Sequence, residues 1–321
     1  MTDGKITDRR RKGGFRVPGM LLLVLCMFCS LQNCQYEDFR VDYPYSTVYF
    51  ANQVLNRNFV EDEVNTIKIG VVLGGKRVNE TEEWVRFTLE DTSGIGSTPY
   101  EILPENYYSL SSYEQFILEE GSYMGEVTME IDPSFFRDPQ AYQDTYALLF
   151  RITDSSTDSV LSGKDSLLLV VGFESSYFGN YYHNGRAVRR DSATGSVIDT
   201  IIYHQKEPVS NNVNIWPLTT SGSRTIFTRG IAYFAPSDLS GFHIIVDEEN
   251  ALHFVEDTAL ISKGYGWDLE RAEGENFYEP ASRTFYLNYT FTDILNNYRC
   301  TVTDTLVFRN RILDGVNQWD F

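Results

Sequence analysis

The sequence predicts an all-β protein of two antiparallel domains, an N-terminal immunoglobulin-like sandwich and a C-terminal β-sandwich or up-and-down barrel. Three observations carry that reading. Apolar residues recur at every second position through much of the chain, the period of a strand with one buried face. Clusters of Gly, Asn, Asp and Ser part these runs, as in successive hairpins. Residues that suit a pleated, half-buried surface are abundant, with 21 Tyr and 21 Phe among 321 residues. A hydrophobic share of 42% suffices for packed cores and argues against disorder. The length suits two domains of ordinary size.

Residues 1–33 read as a signal segment. Positions 1–19 are polar and basic, and 20–31 form an apolar run. At about a dozen residues the run is too short to cross ~30 Å of hydrocarbon, which takes about 20. A basic region followed by a short apolar one is a secretory signal. It ends in Leu31-Gln32-Asn33-Cys34. This stretch resembles the bacterial lipobox, although Asn33 stands where a small residue is usual. The resemblance implies cleavage before Cys34 and a lipid on its thiol. Gln35-Tyr36-Glu37-Asp38 then resembles the acidic export signal that sends Bacteroidota lipoproteins to the outer face of the outer membrane. Residues 34–46 are accordingly expected to be a lipidated tether, with the protein held on the outer membrane and facing the exterior.

Cysteine use and charge fit an exported chain. Cys26 and Cys29 lie inside the apolar run, so Cys34 and Cys300 alone remain after cleavage. There is no disulfide framework and no CxxC metal pattern. Cys300 sits in a strand-like run and is expected to be a buried, inert thiol. The first 33 residues hold six Lys or Arg and two acids. The remainder has 21 basic against 43 acidic residues, a net charge of −22. Such a field repels a phosphate backbone, which argues against a nucleic-acid partner.

The first domain is expected over 47–174. Its opening strand is 47–50. Ile67, Ile69, Val71 and Leu73 alternate up to a turn at Gly74-Gly75. Val85, Phe87 and Leu89 follow the same period, and so do Val127, Met129 and Ile131, then Tyr146, Leu148, Phe150 and Ile152. Residues 166–173 are continuously apolar, as in a strand buried on both faces. Ser93-Gly94-Ile95-Gly96-Ser97 is a turn cluster. The helix-like piece is 111–119, and Asp132-Pro133-Ser134 opens a second short helical turn. Trp84 is expected in the core.

The second domain is expected over 175–321, with the boundary near 175–179. Residues 181–190 and 197–204 flank a hairpin turn at Ala193-Thr194-Gly195. A strand follows at 227–234. Phe242, Ile244 and Val246 pair across 247–250 with Leu252 and Phe254. Phe285, Leu287, Tyr289 and Phe291 alternate strictly, then turn at Asn296-Asn297 into 299–308. Successive hairpins suit a sandwich or an up-and-down barrel equally. No repeat of fixed period is present.

Chemistry-bearing motifs are scarce. The histidines are His183, His204, His243 and His253, without HExxH spacing. His243 and His253 sit close enough along one hairpin to meet, with no third ligand. Neither a phosphate-binding loop nor a Gly-x-Ser-x-Gly elbow occurs. Carboxylate clusters such as Asp247-Glu248-Glu249 fall in turns. The expectation is therefore a non-enzyme with no catalytic residue, cofactor or metal. Aromatics remain. Sugar rings stack their C–H faces on Trp and Tyr while their hydroxyls seek amides and carboxylates. Trp267 with Tyr265, between glycines at 264 and 266, is the first candidate for such a contact. Trp216, after the amide-rich 211–214, is the second. Trp319 lies near the end of the chain. Three Asp-Ser/Thr-apolar triplets, at 158–160, 191–193 and 257–259, resemble the O-glycosylation triplet of exported Bacteroidota proteins.

Val48-Tyr49-Phe50-Ala51 and Pro104-Glu105-Asn106-Tyr107-Tyr108 resemble the N-terminal domain of a group of Bacteroidota surface lipoproteins. Residues 298–306 and 308–319 resemble the end of its C-terminal companion. Both are domains of unknown function that accompany SusC/SusD-like glycan uptake pairs. The resemblance implies a SusE-like accessory role, binding an oligosaccharide or polysaccharide beside the transporter without cleaving it. Two alternatives stand beside it: a fimbrillin-like pilus subunit or adhesin, with 47–50 as the N-terminal strand removed by proteolysis and Arg40 as the only candidate cleavage site before it, and a glycoside hydrolase drawing on the abundant carboxylates.

Overall fold

The computed structural model describes residues 45–91, 99–204, 215–234, 241–257, 265–268, 274–293 and 296–319. Residues 1–33, expected to be a signal segment, lie outside them, as do Cys34, the turn cluster at 93–97 and most of the triplet at 257–259. The described residues are strands, turns and short 3-10 pieces, with no α-helix among them.

The first half forms β1 (Thr47–Tyr49), β2 (Val54–Val60), β3 (Thr66–Gly74), β4 (Glu83–Glu90), β5 (Glu101–Ile102), β6 (Tyr108–Leu110), β7 (Gln115–Leu118), β8 (Met124–Ile131), β9 (Tyr146–Ser155), β10 (Ser159–Val160) and β11 (Ser166–Glu174). They make a two-sheet sandwich. One sheet runs β10-β1-β3-β8-β6, the other β2-β11-β9-β4-β7 with β5 on β9. The inward residues of β3, β4, β8 and β9 are those that alternation selects, and both sheets contribute to one core. In β11 seven consecutive residues are buried. Leu169 and Val171 enter the main core, while Leu168 and Val170 pack outward with Ala147 and Tyr100. A face covered in this way needs no polar alternation.

This is the expected sandwich, with three parallel pairs among its antiparallel ones: β1 with β10, β2 with β11 and β5 with β9. The chain crosses from one sheet to the other at 50–53, so its first two strands join different sheets. Phe50 fills the crossing at 1% exposure, its N–H donating to Lys164 O at 2.9 Å. Two expectations are corrected. The helix expected over 111–119 is a turn followed by β7. The Ser112 hydroxyl accepts from the Gln115 N–H at 3.1 Å. Phe116 and Leu118 then reach the core with period two, which a helix cannot do. Trp84 is half-buried on the outer face of β4, with the Arg86 guanidinium 4.7 Å above its ring. At Asp132-Pro133-Ser134 a 3-10 turn does begin, capped by Asp132.

The second half continues with β12 (Gly179–Asp191), β13 (Val197–Tyr203), β14 (Ile215–Gly222), β15 (Thr225–Thr228), β16 (Phe242–Val246), β17 (Leu252–Glu256), β18 (Tyr265–Asp268), β19 (Phe277–Glu279), β20 (Thr284–Asp293), β21 (Tyr298–Leu313) and β22 (Val316–Gln318). One sheet runs β17-β16-β15-β14-β12-β21-β20, with β18 and β19 on the far edge of β20. It then closes on itself. Ala251 bridges Phe277, Leu252 N–H donates to Asn276 O at 3.0 Å, and Tyr278 N–H donates to Asn250 O at 2.8 Å. The result is an up-and-down barrel, with β13 and β18 as added edge pieces. Its interior is packed with side chains, among them Tyr181, Trp216, Phe242, Phe285, Leu287, Tyr289 and Cys300. Burial pushes the Cys300 thiol up to about 12, so it stays protonated and inert at neutral pH.

One buried carboxylate orders the middle of the barrel. Asp304, 1% exposed, accepts from the hydroxyls of Tyr289 (2.7 Å) and Tyr203. His183 Nε2 lies 3.2 Å from Asp304 Oδ2 but off the hydrogen-bonding direction. Gly185 stands opposite Asp304 on β12, and a Cβ there would collide with the carboxylate.

Sandwich and barrel meet end to end. Ser175 N–H donates to the Thr220 hydroxyl at 3.0 Å, and that hydroxyl donates to Glu174. Asp314, in the β21–β22 turn, accepts from the Asn58 N–H at 3.1 Å. Desolvation raises the pKa of Glu174, Asp144 and Asp314, and for Glu174 and Asp314 repulsion from the neighbouring carboxylates adds to it. A carboxyl with a raised folded-state pKa destabilises the fold above that pKa and ceases to as pH falls through it. Glu174→Gln keeps the acceptor for Thr220 and removes the charge. Its melting temperature is expected to exceed the parent's by about 2 °C at pH 7.5, with the gap closing in mildly acidic buffer. A lower melting temperature at pH 7.5 would contradict this account.

Candidate functional site

The junction holds a cavity of about 760 Å³ between the sandwich and one end of the barrel. This falls within the roughly 300–1,000 Å³ of small-molecule sites. The sandwich contributes the turn between β2 and β3. Val60 and Val64 bridge its ends, and Asp62 takes a left-handed φ of 63° at its tip, a conformation Asp tolerates better than most residues. The turn presents Glu61, Asp62 and Glu63 in a row. The barrel contributes its turns at that end: Arg224 between β14 and β15, Glu248 and Asn250 between β16 and β17, and Arg283 between β19 and β20. Tyr177 from the connecting segment and Tyr278 from β19 complete the wall.

The tyrosines are fixed by packing. Their rings meet edge to face with centroids 4.9 Å apart, and both pack on Phe285. Burial raises the pKa of each phenol, so both remain neutral at physiological pH. Arg311 is the anchor between the halves. At 1% exposure it reaches Glu63 through Nη2, while its Nε donates to Gln318 Oε1 at 2.8 Å. Arg283 donates to Ser176 O at 2.9 Å, stacks 4.1 Å over Phe308 and lies 4.0 Å from Glu63 Oε1. Arg224 donates from Nε to Val246 O at 2.7 Å and from Nη2 to Asp247 O. Ser223 donates its hydroxyl to Glu61.

The cavity therefore offers pre-oriented donors, several carboxylate acceptors and aromatic edges. Such a surface is chemically suited to a ligand rich in hydroxyls. Among the described residues no set of three or more His, Cys, Asp or Glu is arranged to hold a metal ion. His243 and His253 are not directly opposite each other: His243 faces Val255 and Ile245 faces His253. Each has its own partner, Ser221 and Asp247 respectively, at 3.1 Å.

The aromatic residues singled out in the sequence lie elsewhere. Trp216 is 0% exposed inside the barrel, its ring 3.8 Å from that of His183. A Cβ on Gly230 would collide with its indole, so glycine is what lets the ring seat there. A ring so enclosed has no face for a sugar, and Trp216 is withdrawn as a contact residue. Trp267 and Tyr265 lie on β18, opposite Phe291 and Asp293 of β20. That is the end of β20 away from β19 and the cavity. Trp319 is 48% exposed, with Arg309 stacked 5.1 Å away. None of the cavity residues was selected from sequence. The available signal was the Glu61-Asp62-Glu63 run in a turn, which reads as solvated charge until Arg311 is seen against it.

A family model described as an N-terminal domain matches residues 43–159. No curated protein matches the chain. A solved structure from Bacteroides ovatus, described as of unknown function, superposes with a TM-score of 0.60 at 18% identity, covering 87% of this chain and 98% of its own. That likeness is one of fold. Another, described as an auxiliary nutrient binding protein from Bacteroides thetaiotaomicron, gives a TM-score of 0.40 at 17% identity over 83% of this chain and 93% of its own.

Proposed function

We propose that this protein is a non-catalytic glycan-binding lipoprotein of the Bacteroidota outer membrane, accessory to a SusC/SusD-like uptake system. The cavity at the domain junction takes a short oligosaccharide segment. The observation that carries the binding reading is the wall itself: two neutral tyrosines, three guanidinium groups and several carboxylates, held in place by their own hydrogen bonds around one space. Preorganised polar groups of this kind bind hydroxyls with little loss of side-chain entropy. The location rests on the lipobox resemblance at Leu31-Gln32-Asn33-Cys34, with Cys34 carrying the lipid and the acidic residues after it directing export.

Calorimetry against a panel of oligosaccharides tests the reading. Arg224→Ala is expected to weaken binding at least tenfold, since the side chain is pre-oriented by two backbone carbonyls. Trp267→Ala serves as the second arm. Loss of binding with Trp267→Ala but not with Arg224→Ala would move the site to β18.

A further inference from the structure

Resting on that reading, we propose that the cavity selects an uncharged oligosaccharide and rejects one that carries carboxylate or sulfate groups. The basis is which charges around the cavity are already matched. Arg311 and Arg283 both serve Glu63, from opposite oxygens. Arg224 is held by two backbone carbonyls, with no described carboxylate in ion-pair range. The carboxylates of Glu61, Asp62 and Glu248 line the same space and pair with no described base. Glu61 accepts the Ser223 hydroxyl.

Three unmatched carboxylates thus stand against one unmatched guanidinium, in a chain whose charge past residue 33 is −22. An incoming anion meets like charge at short range. The buried tyrosine wall lowers the local dielectric and strengthens that repulsion. A neutral sugar meets the opposite situation. Its hydroxyls donate charge-assisted hydrogen bonds to the carboxylates and accept from Arg224. The same carboxylates that exclude a uronate therefore bind a diol.

The test is isothermal titration calorimetry on the intact two-domain protein. One set of probes is neutral: tetrasaccharides from mannan, glucan and xylan. The other is anionic: galacturonic acid tetrasaccharide and a heparin-derived tetrasaccharide. At least one neutral probe is expected to bind, with both anionic probes at least tenfold weaker. The combined variant Glu61→Gln, Asp62→Asn, Glu248→Gln is expected to narrow that gap, and the narrowing shrinks as salt is added. An anionic probe that binds as tightly as the best neutral one overturns the selectivity and leaves glycan binding standing. Failure of every probe in both sets overturns glycan binding itself, and the selectivity with it.

Discussion

Trp216→Ala is expected to destabilise the protein by about 3–5 kcal/mol, the usual cost of emptying a large aromatic site in a core. The melting temperature should fall by about 10 °C or more, while oligosaccharide affinity at temperatures where the variant is folded stays unchanged. Both halves of the expectation follow from position. Trp216 has no exposed surface, its ring lies against His183, and Gly230 admits it closely. The void left behind would be lined by strands of a hydrogen-bonded ring, which cannot collapse inward without breaking register. Chemical denaturation followed by circular dichroism measures the first half and calorimetry the second. A variant of near-parent stability that has lost sugar binding would return Trp216 to the surface and contradict the packing described here.

The same residue shows where sequence reasoning runs out. The amide-rich stretch before it suggested a loop. Burial came instead from register: Trp216 pairs with Tyr181 of β12, and both point inward. Strand identity was readable because the side-chain period of two is local. Ile67 through Leu73 and Phe285 through Phe291 fell inside as their alternation implied. Closure of the barrel was not readable, because it depends on Ala251 meeting Phe277, two residues with no distinguishing pattern. The 111–119 stretch misled for a related reason. Its Glu and Gln residues favour a helix, and only contact with Phe50 and Phe87 makes Phe116 a strand residue. The cavity was the least legible feature. Its walls come from turns that are far apart in sequence, and the pair that fixes its geometry, Glu63 with Arg311, is separated by 248 positions.

That separation makes Glu63 the residue whose loss should be felt in both halves at once. Glu63→Ala is expected to cost about 3 kcal/mol, at the lower end of the range for breaking one partner from a buried pair. Arg311 is enclosed, so its charge would lose its carboxylate without gaining water, whereas Glu63 is 29% exposed and partly hydrated already. The pair crosses the junction, so the cost falls on the coupling of sandwich to barrel rather than on either core. Among the contacts that remain, Asn58 with Asp314 and Thr220 with Glu174 involve carboxylates whose ionised forms desolvation disfavours, and Ser223 with Glu61 is a single hydroxyl contact. They should hold the junction less firmly. Calorimetric unfolding is then expected to separate into two transitions, one for each core, and Arg224-dependent oligosaccharide binding to weaken as the cavity walls lose their fixed spacing. Glu63→Gln, which can still accept a hydrogen bond from Arg311, should lie between parent and alanine variant. Unfolding of Glu63→Ala at the parent's temperature, with no change in the shape of its transition, would mean that the ion pair does not couple the two halves.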